Sequence, residues 1–196
     1  MEKTAVKKVR AEADMTKGSI IKCIALFTLP LLAGNFFQQL YNMVDTWVIG
    51  QTGDAGAYSA VGSVGPITNI YIGLFSGLAS GAGVVISQYF GANDNEKLSK
   101  TVHTSALITI ILSVVFTAVS LLLTPLMLQL MLRTTEGEIY PAAQTYLLIY
   151  FSGTVFTLVY NMGAAILRAV GDSKRPFYYL AVAAVINTVL DLVFVF

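Results

Sequence analysis

Two acidic residues, Asp45 and Asp191, stand inside otherwise uncharged apolar runs of this 196-residue chain. A carboxyl near the centre of a lipid-spanning helix costs on the order of 2.5–3.5 kcal/mol on insertion scales, so such residues are normally kept for binding an ion, relaying a proton or meeting a cationic ligand. Asn35, Gln38 and Asn42 precede Asp45 at three- and four-residue spacing, which puts all four on one helix face. Lipid would not tolerate that polar stripe, and it is predicted to face a cavity or the interior of a bundle. Asn187 stands four residues before Asp191 and projects from the same side, while Asn161 adds an amide from a third direction. Together these groups make a carboxylate-and-amide cage for a proton, a sodium ion or a cationic compound, with the choice between the two ions left open by oxygen ligands that suit both. The competing reading is interhelical hydrogen bonding that merely holds a bundle together. It serves the three stripe amides as well as function does, but it gives no reason for an ionisable group.

The elements that must position these residues follow from composition. Hydrophobic residues make up 56% of the chain and charged ones 12%, against roughly 25% charged in soluble domains, and the mean hydropathy is +0.71. A bilayer core takes about 20 apolar helical residues to cross. Runs of at least that order cover 19–50, 55–90, 98–132, 139–169 and 176–196, joined by short connections rich in Gly, Asn, Asp and Pro that stop helices and turn chains. The fold class is therefore all-α, a polytopic bundle of five transmembrane helices with 19–196 in the bundle and 1–18 as a polar tail. The run from 55 is read as one long or kinked helix, because splitting it around Gly62, Gly65 and Pro66 would carry Lys97 and Lys100 to the other side.

Lys and Arg near the ends of spans are preferentially held in the cytoplasm. With the tail inside, eleven of the twelve fall on that side and only Arg133 lies outside. The first and fifth helices then run outward, and Asp45 and Asp191 both come to lie in the outer half of the membrane. The tail contains Glu2, Glu12 and Asp14 and no cleavage site follows it, so it is read as a retained cytoplasmic tail and not as an organellar transit peptide or a removed signal. The expected setting is a bacterial or archaeal plasma membrane, with the lipid bilayer as partner and nucleic acid excluded. A lone Cys23 and a lone His103 argue against disulfides and metal clusters, and His103 reads as an interfacial residue. No cofactor is expected beyond H+ or Na+ as coupling ion.

Other features bear on packing. Gly73, Gly77 and Gly81 are four apart and are predicted to let helices approach closely, the alternative being a sliding surface. Pro30 removes a backbone hydrogen bond within the first span and marks a hinge. Tyr146, Tyr150, Phe151, Phe156 and Tyr160 are expected to serve lipid and core packing in preference to lining a drug cavity.

Four segments, LFTLPLLAGNFFQQLYNMVDTWVIG, SAVGSVGP, YNMGAAILRAVGDSKRP and NTVLD, resemble the MATE (multidrug and toxin extrusion) family in order and spacing, over essentially the whole chain from Met15. That resemblance implies a cation site at Asp45, Asn161, Asn187 and Asp191, with Pro30 and Gln38 matching further first-helix positions. It also implies a secondary active antiporter that exports organic cations and other amphipathic compounds in exchange for H+ or Na+, from twelve helices in two lobes. The chain ends at Phe196, near the end of the fifth of six helices in the first lobe, so the sequence reads as a fragment, a truncated product or a half needing a second lobe. A lipid-linked oligosaccharide flippase of related architecture is the nearest rival. An intramembrane aspartyl protease is the more distant one, since the chain lacks the Gly-x-Gly-Asp pattern such enzymes resemble.

Overall fold

The computed structural model describes residues 19–51, 55–132 and 139–195; the tail 1–18 and the basic Arg133 lie outside them. Within these residues the chain forms five helices: α1 (Ile20–Gln51), α2 (Ala55–Gly91), α3 (Asn95–Leu132), α4 (Ile139–Ala169) and α5 (Lys174–Val195). Each is long and apolar enough to cross a membrane, and the chain is a multi-pass membrane protein. α1 runs unbroken through Pro30, and α2 through Pro66, so 55–91 is one helix. Side chains such as Leu122 and Phe156, 80% and 79% exposed, cover the outside of the bundle with the apolar surface that lipid requires.

Two helix starts precede the sequence expectation, and a carboxylate explains each. Asp94 caps α3 by accepting the Lys97 amide at 3.0 Å, and Asp172 caps α5 by accepting the amides of Lys174 and Arg175 at 3.1 Å each. Helices begin where such an acceptor satisfies their unpaired donors, which moves the starts to Asn95 and Lys174. The preceding helices end in matching fashion. At α2, the amides of Asn93 and Asp94 bond the carbonyls of Phe90 and Tyr89; at α4, those of Gly171 and Asp172 bond Arg168 and Leu167. Both are Schellman closures, with Asn93 and Gly171 at φ 58° and 89°. A basic residue three positions after each capping aspartate then completes an ion pair, Lys97 with Asp94 and Arg175 with Asp172, both at 3.1 Å. Hydrogen bonding from the Lys97 amide and ammonium holds the Asp94 carboxyl below its ordinary pKa. The molecule thus uses one clasp twice at what is here called its basic end.

α2, α3 and α4 make the densest packing. Val64 and Ile67 of α2, Leu128 of α3, and Ala143, Leu147 and Phe151 of α4 form one buried cluster, with the Phe151 ring 4.8 Å from that of Tyr71. Nearer the basic end Ala79 of α2 meets Met162 and Ala165 of α4. Tyr71 pairs with Phe151 and Ala79 with Met162, an almost constant stagger that makes α2 and α4 parallel. α3 returns antiparallel against both, hydrogen bonding through Ser120 to the Tyr71 hydroxyl and setting Phe116 edge-on to Phe75 at 4.8 Å. α1 and α5 form a second unit, packed on each other more closely than on the rest.

The glycine stripe departs from its sequence reading. A Cβ added at Gly73, Gly77 or Gly81 would meet nothing within 4 Å, so none of the three mediates helix contact among the described residues. The close approach falls instead at Gly83, where a Cβ would lie 3.6 Å from the Ala165 carbonyl oxygen. The reason is rotational: Gly83 is on the α2 face that Ala79 turns towards α4, and the stripe is not. Gly83→Leu is therefore expected to force α2 from α4 and destabilise the protein by about 1–3 kcal/mol, whereas Gly77→Leu shifts stability by less than about 0.5 kcal/mol. Thermal unfolding of the two purified variants in detergent separates these outcomes.

Candidate functional site

The parallel pairing of α1 and α5 sets the site. With about 100° of turn per residue, Gly34, Phe37, Tyr41, Asp45 and Val48 fall on one α1 face, and Phe177, Leu180, Ala184, Asn187 and Asp191 on one α5 face. The Phe37 and Phe177 rings lie 5.8 Å apart, and the register is set beside them, where a Cβ at Gly34 would stand 3.5 Å from Leu180 Cδ2. Eleven residues on along both helices, about three turns or 16 Å, the same stagger brings Asp45 opposite Asp191. There the two carboxyl groups are near enough for their charges to interact.

Three oxygens of this cluster are buried without a hydrogen-bond partner: Asp45 Oδ1, Asn187 Oδ1 and Asp191 Oδ2. Buried acceptors are normally satisfied, and these three oxygens meet no donor among the described residues. Among the described residues no group of three or more His, Cys, Asp and Glu exists, so the cluster does not have the make-up of a transition-metal centre. A proton shared between the carboxyls, or a hard cation bound by oxygen, suits the donor set.

The other residues expected from sequence are distributed as follows. Asn35, Gln38 and Asn42 are exposed, on a sector of α1 beside the α5-facing one, with Asn42 reaching Gln39 at 3.5 Å. The opposite sector carries Leu29, Leu32, Phe36, Met43 and Trp47, all exposed and apolar. α1 therefore presents three faces, one to α5, one polar and one suited to lipid. Pro30 is half-buried in the unbroken helix. Asn161 is not brought to the carboxyl pair. Tyr146 is the α4 residue near enough to Asp45 for their charges to interact, and Asn161 lies fifteen residues further along the helix, about 22 Å. There it lines a cavity of about 830 Å³ at the basic end.

Tyr146 is the neighbour sequence reasoning missed. It stacks on Tyr150 with ring centroids 6.2 Å apart, and the signal was their four-residue spacing on α4. The aromatic group divides: Phe151 is core, Phe156 faces outward, and the tyrosines turn towards α1. His103 is exposed, its Nδ1 2.8 Å from the Ser99 carbonyl.

A family model described as MatE matches residues 30–193. The chain is similar to the probable multidrug resistance protein YpnP of Bacillus subtilis, 34% identical over 182 residues, which cover 93% of this chain and 40% of the relative. Two solved structures superpose with TM-scores of 0.85 at 27% identity, covering 97% of this chain and 40% of each neighbour. One is a MOP superfamily transporter from Pyrococcus furiosus; the other is an outward-facing multidrug resistance MATE family transporter. The chain thus spans about 40% of the length of the relatives it matches.

The α1/α5 register is open to a direct check. In a Cys23→Ala background, Asp45→Cys combined with Asp191→Cys is expected to cross-link efficiently with a short thiol-reactive bifunctional reagent. Met43→Cys with Asp191→Cys, from the outward sector of α1, is not. Equal yields from the two pairs would show that the carboxyl positions do not face each other.

Proposed function

The chain belongs to the MATE family of multidrug and toxin extrusion transporters, matching an amino-terminal half of its members, and from that premise we propose that it forms the ion-coupling lobe of a secondary active efflux antiporter. H+ or Na+ binds between Asp45 and Asp191 with the Asn187 amide oxygen alongside, and its binding and release drive export of organic cations and other amphipathic compounds. The observation that carries this reading is the meeting of two intramembrane carboxyls around three buried oxygens that lack donors. Intramembrane acids placed in this way mark ion pathways and proton relays.

The exposed amides Asn35, Gln38 and Asn42 supply a polar wall along which substrate or water approaches Asp45. Pro30, which leaves a backbone carbonyl of α1 without its usual donor, is where the helix changes bend as the site loads. Orientation follows from charge: Lys22, Lys97, Lys100, Arg168, Lys174 and Arg175 share the basic end, which is placed in the cytoplasm of a bacterial or archaeal cell with the amino terminus. The carboxyl pair then opens outward. Alternating access needs a second lobe moving against this one, so transport belongs to the assembly that includes it. The relatives and structural neighbours are transporters, not enzymes, which leaves the protease reading without support.

The test is efflux of ethidium from proteoliposomes by the full-length transporter containing this chain, under an imposed H+ or Na+ gradient. Asp191→Asn is expected to reduce gradient-driven efflux at least about tenfold, the effect of losing one charged contact to the bound ion. Gradient-driven efflux unchanged in that variant would remove the carboxyl pair from the mechanism, and movement of a lipid-linked sugar with no ethidium efflux would favour the flippase.

A further inference from the structure

At the basic end, remote from the carboxyl pair, an open cavity of about 830 Å³ is bordered by α1, α2, α4 and the turns that follow α2 and α4. Its chemistry is the reverse of the Asp45–Asp191 cluster. Ser76, Ser80 and Ser87 of α2 line it at helical spacing, Asn161 and Arg168 of α4 face them, and Phe27 closes the α1 side. No Asp or Glu contributes to the lining.

Arg168 sits in the last turn of α4, where a cation complements the carbonyl end of a helix. That role alone would be met with the guanidinium in solvent, and it does not explain a side chain directed into a cavity of hydroxyls and amides. Nor is the charge already spent. The nearest carboxylate in sequence, Asp172, is committed to Arg175 and to the amides of Lys174 and Arg175, and Arg168 forms no ion pair with any described residue. Ser87 donates its hydroxyl to the Val84 carbonyl, but Ser76, Ser80 and Asn161 make no hydrogen bond to a described residue. The cavity therefore presents one unpaired guanidinium and three uncommitted donor groups, with Ala79, Ala165 and Phe27 supplying apolar wall.

We propose that this cavity binds an organic anion, a compound carrying a phosphate or carboxylate group on an apolar body, with Arg168 as its charge partner and Ser76, Ser80 and Asn161 as further donors. Guanidinium matches both acid groups through paired N–H donors. Asn161 stands one face-repeat of seven residues from Arg168, about 10 Å along α4, so the acid group sits at the clasp end and the apolar body extends towards Asn161. The site is independent of the coupling ion, because nothing in it touches Asp45 or Asp191.

The experiment is equilibrium binding of 4-methylumbelliferyl phosphate to the purified chain in phosphatidylcholine nanodiscs, with uncharged 4-methylumbelliferone as control. Saturable binding of the phosphate, at least about tenfold weaker in Arg168→Gln, partly restored in Arg168→Lys and unchanged in Asp191→Asn, is the expected result. Should Arg168→Gln fail to fold, the Ser76→Ala/Ser80→Ala double variant takes its place and is expected to weaken binding several-fold. Nanodiscs doped with phosphatidic acid distinguish the sources. Displacement of the probe identifies a lipid headgroup as occupant, and undiminished Arg168-dependent binding identifies a soluble anion; both support the proposal. Equal affinity for the uncharged control, or binding insensitive to Arg168 and to the two serines, overturns it. Because Asp191→Asn separates the two sites, failure here leaves the ion-coupling reading untouched.

Discussion

Two carboxyl groups facing each other away from water repel when both are charged, and each carries an insertion cost of its own. The arrangement is tolerable only if positive charge is shared between them. That constraint gives meaning to the rest of the molecule, because it requires α1 and α5 to be parallel, adjacent and in one register over at least three turns. Gly34 makes the approach close enough, since a larger residue there would press on Leu180 and Phe177. The Phe37 and Phe177 rings, 5.8 Å apart, add an aromatic contact beside it. A helix pair of this kind gains nothing from hydrophobic burial in lipid, so close packing and polar contacts must hold it.

The three-helix core and the α1/α5 pair divide the work. Phe151, Leu147, Leu128 and Val64 are fully buried and give α2, α3 and α4 a rigid interior. The α5 start is tied to that core through the clasp at Asp172 and through the Tyr160 hydroxyl, which reaches the Pro176 carbonyl at 3.3 Å. The far part of α5, with Asn187 and Asp191, is held chiefly by α1. The α2–α4 core thus lies towards the carboxyl end, where Val64, Leu128 and Leu147 are buried, and the cavity lies towards the basic end.

Much of this was legible because helix rise converts residue number into depth. Counting along the first and fifth spans places Asp45 and Asp191 both in the outer half of the membrane, and the structure brings them near each other. The same count, carried along the fourth span in its opposite direction, puts Asn161 eight residues from the basic end and so far from that level; the family resemblance obscured what the geometry of α4 makes plain. Neighbour relations were not legible. In a span whose lipid-facing and core-facing sides are equally apolar, periodicity carries little information about which side meets protein, so the pairing of α1 with α5 and the packing of α4 between α2 and α3 had no signature. The glycines illustrate the same limit: Gly77 and Gly83 look alike in sequence, and only rotation about α2 decides which one touches Ala165. Capping was legible in principle, since Asn-Asp and Gly-Asp followed by a basic residue are helix-start chemistry.

α1 is the element that joins the two polar regions. Phe27 closes the cavity that Arg168 lines, and Asp45, eighteen residues later and about 27 Å away along the helix, meets Asp191. Pro30 lies between them, next to the cavity and not next to the carboxyls. A change of bend there swings the longer arm, so a small angular change near Phe27 becomes a larger displacement at Asp45, while the register with α5 resists it through Gly34 and Phe37 just beyond the hinge. No residue of the carboxyl pair lines the cavity, so each polar region is assembled from its own stretch of α1.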